Sequence, residues 1–193
     1  NIVEMNGGTS SITAGGYANG SAPATGNNVT VTGGTTETVL GGKADGDTND
    51  NIVTISGGTI TGNIYGGQSA EESSTGNTVT IKGGDINGII NGGATDNETG
   101  NNQADNNTVT IESGNVTATV AGGNSNYGTA SGNTVTINTT GTGTLSAVYG
   151  AEGRNATQDN KVIFNGGTAG TLYGGYTTGR TDGTLGSINN TVE

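Results

Sequence analysis

Residues 77–84 read NTVTIKGG, and close variants of this phrase return along the whole chain. The variants begin at eight asparagines, spaced 26, 24, 26, 30, 26, 27 and 30 residues apart: Asn1, Asn27, Asn51, Asn77, Asn107, Asn133, Asn160 and Asn190. A regular period of this length is typical of a solenoid, in which each repeat stacks on its neighbours. We therefore predict about seven coils of 24–30 residues each.

Within each repeat the phrase alternates polar and apolar residues, the pattern of a β-strand with one buried face. In the copy that starts at Asn51, the side chains of Asn51, Val53 and Ile55 share one face. Valine, isoleucine or another apolar residue returns at the latter two positions in the other repeats. Side chains stacked at the spacing of paired strands, about 4.8 Å, predict a thin but continuous core.

Glycine pairs divide each repeat into segments. The pair at 57–58 offers backbone angles that a β-carbon forbids, so the chain can turn after the first strand. A second strand follows, in which Ile60 and Ile64 share a face, and the pair at 66–67 closes it. The rest of the repeat is polar and variable in length. The sequence thus predicts two short strands and one variable loop in each coil.

The asparagine at the first position lies two residues before the core valine and hence on the inward side of the strand. An amide both donates and accepts, so stacked copies can bond to one another along the axis and to the backbone at the turn. The alternative is that asparagine is used here only because it favours turns. We predict a buried asparagine ladder of six residues: Asn27, Asn51, Asn77, Asn107, Asn133 and Asn160.

The phrases NTVTIKGG at 77–84 and GGTITGNIYGG at 57–67 resemble the β-solenoid repeats of bacterial cell-surface proteins, particularly autotransporter passengers and related adhesins. The resemblance covers essentially the whole chain. It implies a right-handed parallel β-helix, a location outside the cell or on the bacterial surface, and no catalytic residues. We predict an all-β, single β-solenoid domain over residues 1–193, and the repeat phrase at both ends indicates an excerpt from a longer array.

Composition narrows the function. The chain has 5 basic and 16 acidic residues, so it lacks the clustered Lys and Arg that binding to nucleic acid or to an anionic membrane needs. No apolar run approaches the roughly 20 residues of a membrane span. Histidine and cysteine are absent, which removes the usual catalytic base and the thiol nucleophile. We expect a non-enzymatic protein without a cofactor.

Two groups of acidic residues leave calcium binding and polysaccharide cleavage as alternatives. Residues 43–50, KADGDTND, place oxygen ligands at alternate positions of a loop, as calcium prefers, although a solvated acidic loop is the alternative. The candidate calcium ligands are Asp45, Asp47, Asn49 and Asp50. A polysaccharide-degrading β-helix would need paired carboxylates, and Asp85 and Glu112 come nearest to such a pair.

A column of threonines is predicted on the outward face of the first strand: Thr30, Thr54, Thr80, Thr110 and Thr136. Flat threonine arrays resemble the ice-binding faces of some β-solenoid antifreeze proteins. The alternative is structural, because threonine is a good exposed strand residue with hydroxyl contacts across strands. Lateral self-association through the same face is also left open.

We expect the chain to act as a non-enzymatic stalk or adhesin segment that presents its loops for attachment to host or neighbouring cells. The partner would be a host or bacterial surface protein or a glycan. Tyr65, Tyr149 and Tyr173 share one repeat position, where tyrosine can stack on sugars, anchor a protein partner or cap the edge of the solenoid. An ice-binding protein and a polysaccharide-degrading enzyme are the alternatives.

Overall fold

The computed structural model of the chain describes residues 1–98, 102–179 and 186–193. All regular structure in these ranges is β-strand, and the strands stack in parallel as a β-solenoid of about seven turns. The predicted all-β solenoid is therefore confirmed. The described ranges contain no helix long and apolar enough to cross a membrane.

Sheet 1 holds the repeat phrase and has one strand from each copy of it. Pairing joins equivalent residues, so Val79 lies beside Val53 on one side and Val109 on the other. The eight strands are Ile2–Met5, Asn28–Val31, Ile52–Ile55, Thr78–Ile81, Thr108–Ile111, Thr134–Ile137, Lys161–Phe164 and Thr191–Val192.

Sheet 2 differs from the sequence prediction because most of its strands are long and continue through the second glycine pair. Asp85–Thr95 includes Gly92 and Gly93, neither of which has a positive φ, so the strand bends there without turning. The pair therefore does not close the strand. The strands are Thr9–Tyr17, Thr35–Ala44, Thr59–Ile60, Ile64–Ser69, Asp85–Thr95, Asn115–Ser125, Leu145–Gly153 and Ala169–Thr177.

A third side of the solenoid carries short parallel strands in most coils, where the sequence predicted only a loop. Two small sheets lie here, and a single bridge between Gln103 and Thr129 adds a further link. The prediction was wrong for this segment because its strands are too short and polar to show an alternating pattern. Their bounds are Thr48–Asn49, Ser74–Thr75, Thr129–Ser131, Ala156–Gln158 and Ser187–Ile188.

The core lies between sheets 1 and 2 and consists of stacked aliphatic side chains. Val53 and Ile55 from sheet 1 face Ile60 and Ile64 from sheet 2, and all four are fully buried. Each such side chain stabilises the fold by about 1.5–3 kcal/mol. One layer of branched side chains from each sheet fills the interior, so a chain poor in large residues still buries a continuous core.

The corner before sheet 1 requires a left-handed backbone in every coil, a feature the sequence reading missed. The residue just before each ladder asparagine has φ between 52° and 67°. Only Gly, Asp and Asn adopt this conformation at low cost. The seven residues are Gly26, Asp50, Gly76, Asn106, Gly132, Asp159 and Asn189.

Candidate functional site

The asparagines of the repeat phrase form a hydrogen-bonded row along the solenoid axis. Nδ2 of Asn51 donates to Oδ1 of Asn77 at 3.0 Å, and the backbone N–H of Asn51 donates to the same oxygen at 3.0 Å. The second Nδ2 hydrogen of Asn51 goes to the carbonyl oxygen of Ala24 at 2.9 Å. Equivalent side-chain bonds of 2.8–3.1 Å link Asn1 through to Asn190.

This arrangement uses the full capacity of a buried amide. From Asn51 to Asn133 each ladder side chain makes at least two donor bonds and accepts twice, and the two acceptor bonds fix which end of the amide is oxygen. Every ladder asparagine donates from Nδ2 to the asparagine of the following coil, so the amide dipoles point the same way and strengthen one another. The six predicted ladder residues are at most 3% exposed.

The second glycine pair lies against this row. A Cβ on Gly66 would stand 2.9 Å from Asn77 Cβ, and one on Gly67 would stand 2.7 Å from Asn77 Nδ2. The interior here is too narrow for a side chain on sheet 2, since the asparagine fills the space. Sheet 2 therefore dips inward at the glycine pairs, and the surface outside this dip is concave.

Three of the four candidate calcium ligands use their side chains to bond to neighbouring coils. Asp45 accepts from the Gly20 N–H at 2.8 Å on one side. On the other side, Asp47 accepts from the Ser73 N–H at 3.2 Å, and Asn49 accepts from the Thr75 hydroxyl at 2.8 Å. Asp50 occupies the left-handed corner. Among the described residues no three His, Cys, Asp or Glu side chains group as they would around a metal ion.

The threonine column is in register along sheet 1. Thr54 pairs with Thr30 and Thr80, and Thr110 pairs with Thr80 and Thr136. All five side chains are half-buried. The column ends where Glu4 and Ile163 take the equivalent positions. The threonine array thus spans five coils.

Asp85 and Glu112 occupy different parts of the coil. Asp85 begins a strand of sheet 2 and accepts from Asn115 Nδ2 at 3.0 Å, whereas Glu112 follows a strand of sheet 1. A shallow depression of about 490 Å³ is lined by Asp85 but not by Glu112. Among the described residues that line this depression, Asp85 is the one carboxylate, so the pair that the hydrolase hypothesis requires does not meet here.

A different surface combines aromatic, amide and apolar side chains. The groove outside the dip of sheet 2 has a volume of about 270 Å³, and we call it the outer groove. Register places Tyr65 beside Asn91, and Gln68 beside Ala94 and then Asn124. The side chains that carry its chemistry are Tyr65, Ile89, Asn91, Asp96, Asn124 and Asn126.

Asn63 positions one end of the outer groove. Its Nδ2 donates to the Tyr65 hydroxyl at 3.3 Å, and its Oδ1 accepts from the backbone N–H of Ile89 at 3.1 Å. Burial, together with the negative charge of Asp96, raises the pKa of Tyr65, so this phenol stays protonated at neutral pH. The groove therefore offers a fixed aromatic ring with a neutral hydroxyl.

The register position of Tyr65 is aromatic again three coils further along. Tyr149 and Tyr173 stack with ring centroids 5.3 Å apart and an interplanar angle of 7°, and Tyr176 tilts against both rings. Glu152 lies beside Tyr176 in the register, and burial raises the pKa of its carboxyl group. Sequence reasoning grouped Tyr65, Tyr149 and Tyr173 but missed the neighbouring amides, which follow no repeat pattern.

Comparison of the chain with protein-family models, curated protein sequences and solved structures gave no significant match.

Proposed function

We propose that this chain is a non-enzymatic segment of a bacterial cell-surface protein, a rod that holds attachment surfaces away from the cell. The observation that carries the proposal is the unbroken axial order. Eight strands of sheet 1 pair residue for residue, and the asparagine row runs beside them from Asn1 to Asn190. Such one-dimensional stacking suits a spacer whose length depends on the number of coils.

The dimensions and charge of the rod support the same role. Seven steps at the strand spacing give a length of about 34 Å. The net charge of −11 keeps neighbouring rods soluble and mutually repelled. The polar segments between sheet 2 and the third side include exposed residues, such as 70–72, that are available to a partner.

Binding to cells tests the attachment role. Beads coated with the chain should adhere to epithelial or bacterial cells more strongly than beads coated with a shuffled chain of identical composition and charge. The shuffled chain keeps the acidity and removes the coil register, so it controls for non-specific contact. Equal adhesion of the two sets of beads would reject attachment and leave only a spacer.

Ice binding is a second candidate, favoured by the register of the five threonines along sheet 1. A flat column of equally spaced hydroxyl and methyl groups can order water at a lattice spacing. If the face binds ice, the chain shapes growing ice crystals, and Thr80→Tyr or Thr110→Tyr abolishes the shaping. Crystal shapes that are unchanged by these substitutions would remove this candidate.

A further inference from the structure

We infer that the outer groove binds a neutral carbohydrate chain, with the Tyr65 ring as its stacking platform and the Asn91 amide as its hydroxyl-binding group. The inference rests on the proposed attachment function and supplies the chemical class of its ligand. It is carried by an amide at the base of the groove that has no partner within the described protein, an aromatic wall, the charge of the groove and the geometry along the axis.

The Asn91 side chain is the decisive feature. Asn91 is only 5% exposed and lines the groove, yet its amide makes no hydrogen bond to any described residue. The ladder asparagines, which are buried to the same degree, fill their hydrogen-bonding capacity within the protein. The small exposed part of Asn91 faces the groove and includes its amide atoms, so the donors and the acceptor of this amide are open to a ligand at the base of the groove. Paired donor and acceptor groups match a sugar hydroxyl, which both donates and accepts.

The wall beside Asn91 suits the apolar face of a sugar ring. Tyr65 is half-buried, and Asn63 holds its hydroxyl, so the ring loses little conformational freedom when a ligand stacks on it. Ile89 is 41% exposed and adds an aliphatic surface to the lining. An amphipathic ligand with one apolar face and hydroxyls at its rim therefore meets a matching surface.

Charge selects a neutral ligand. Asp96 lines the groove and accepts from Asn126 Nδ2 at 2.8 Å, while the described residues of the lining include no Lys or Arg. Lys43 stands one coil beyond, in register with Gln68. Uronic acids or sulfated sugars would meet the Asp96 carboxylate within the lining, whereas Lys43 lies outside it.

The same surface is poorly suited to a peptide. The strands under the groove already pair with a neighbour on each side, so their backbone groups are not free to take up an added strand. Ile89 is the large apolar residue that the lining exposes, which is too little for the buried centre of a protein interface.

The groove can extend along the axis. Three coil steps, about 14 Å, separate Tyr65 from Tyr149 in the register, and Tyr149 begins the stacked tyrosine cluster. Asn124 lies between them and donates to Glu152 at 3.4 Å. A chain of linked sugars can therefore contact Tyr65 at one end and the tyrosine cluster at the other, and longer oligosaccharides should bind more tightly than single sugars.

Titration of the complete chain with defined sugars tests the inference. The probes are cellohexaose, maltohexaose, mannohexaose and xylohexaose, with hexagalacturonic acid as the anionic comparison, and binding is followed by calorimetry and by NMR chemical shifts. We expect at least one neutral hexasaccharide to bind, and Tyr65→Ala and Asn91→Ala each to weaken that binding at least about tenfold. The anionic sugar should bind more weakly than the neutral one.

Both variants should fold, because alanine already stands at the equivalent register position, Ala121. Thr54→Ala on sheet 1 is the matched control and should bind like the unmodified chain. Three results would each overturn the inference: no neutral probe binds at millimolar concentration, the anionic probe binds best, or the folded Tyr65 and Asn91 variants keep full affinity. If coated beads adhere to cells but no sugar binds, the attachment function stands and the groove assignment fails. If a sugar binds but the coated beads do not adhere to cells, the groove assignment stands and the attachment function fails.

Discussion

Oδ1 of Asn77 accepts two hydrogen bonds from Asn51, one from the backbone N–H and one from Nδ2, each 3.0 Å long. Asn77 in turn donates to the Thr48 carbonyl oxygen at 2.8 Å and to Asn107 Oδ1 at 3.0 Å. One fully buried carboxamide thus ties its own coil to the coils on both sides.

Replacement of Asn77 by alanine should be among the most damaging single changes. It leaves the Asn51 N–H and the Asn51 side-chain amide without their acceptor in the interior, at about 1–3 kcal/mol for each unsatisfied group, and it opens a cavity beside the core. We expect Asn77→Ala to lower the free energy of unfolding in urea by about 3 kcal/mol or more. Asn87→Ala, at an exposed site on sheet 2, is the control and should stay within about 0.5 kcal/mol of the original.

The left-handed corner gives a second prediction. Asp50 has φ 56°, and the equivalent residue in the next coil is Gly76, with φ 67°. Asp50→Val should cost about 1–2 kcal/mol because a branched side chain resists this backbone conformation, whereas Asp50→Gly should be close to neutral. Thermal unfolding of both variants, with and without calcium, tests whether Asp50 serves the left-handed corner or binds calcium. A loss for Asp50→Gly that appears only with calcium present would instead support Asp50 as a ligand.

The third prediction concerns the narrow interior at the second glycine pair of each coil. Gly66→Ala would place a Cβ 2.9 Å from Asn77 Cβ and against the Gly92 carbonyl, in a wall that cannot move without breaking the asparagine row. We expect a loss of about 3 kcal/mol or more. Gly7 has open space around it and no positive φ, so Gly7→Ala should be neutral or gain up to about 1 kcal/mol. Similar unfolding midpoints for the two variants would contradict the close approach.

The fourth prediction concerns Glu152, whose pKa burial raises above its ordinary value of 4.5. Because the folded state holds this proton more tightly than the unfolded state, stability falls as pH rises from about 4.5 through the folded pKa. Glu152→Gln should therefore raise the unfolding midpoint at pH 7 relative to the original chain, and the gain should vanish below pH 4.5.

Glu112→Gln removes the same charge at an exposed position and controls for the net charge of −11. The gain for Glu152→Gln should exceed that of the control at pH 7. Equal gains at every pH would mean that only general charge repulsion had been relieved.

Periodic features of the sequence were sufficient for the main architecture. Val53, Ile55 and Asn51 recur in phase, and since equivalent residues pair in a parallel stack, phase in the sequence becomes register in the fold. The recurrence of glycine at position 66 could also be read from the sequence. The reason for it could not, because the side chain that crowds Gly66 is that of Asn77 on the opposite sheet. Sequence spacing does not reveal what lies across a thin core.

The outer groove could not be predicted for a related reason. Tyr65 and Asn91 are neighbours only because successive coils pair there, and no third coil repeats their combination. A property that belongs to one place in the stack leaves no periodic signal. The corner at Asp50 could have been found, since every residue before a ladder asparagine is Gly, Asp or Asn.

The common direction of the amide row has a mechanical consequence. Each ladder asparagine completes its hydrogen bonds only when the following coil is docked, so a load along the axis is expected to detach whole coils one at a time. Each peeled coil of 24–30 residues releases about 80–110 Å of extended chain. A pulling experiment should then record successive unfolding steps of nearly equal extension. The rod would lengthen in stages under tension instead of breaking its fold all at once.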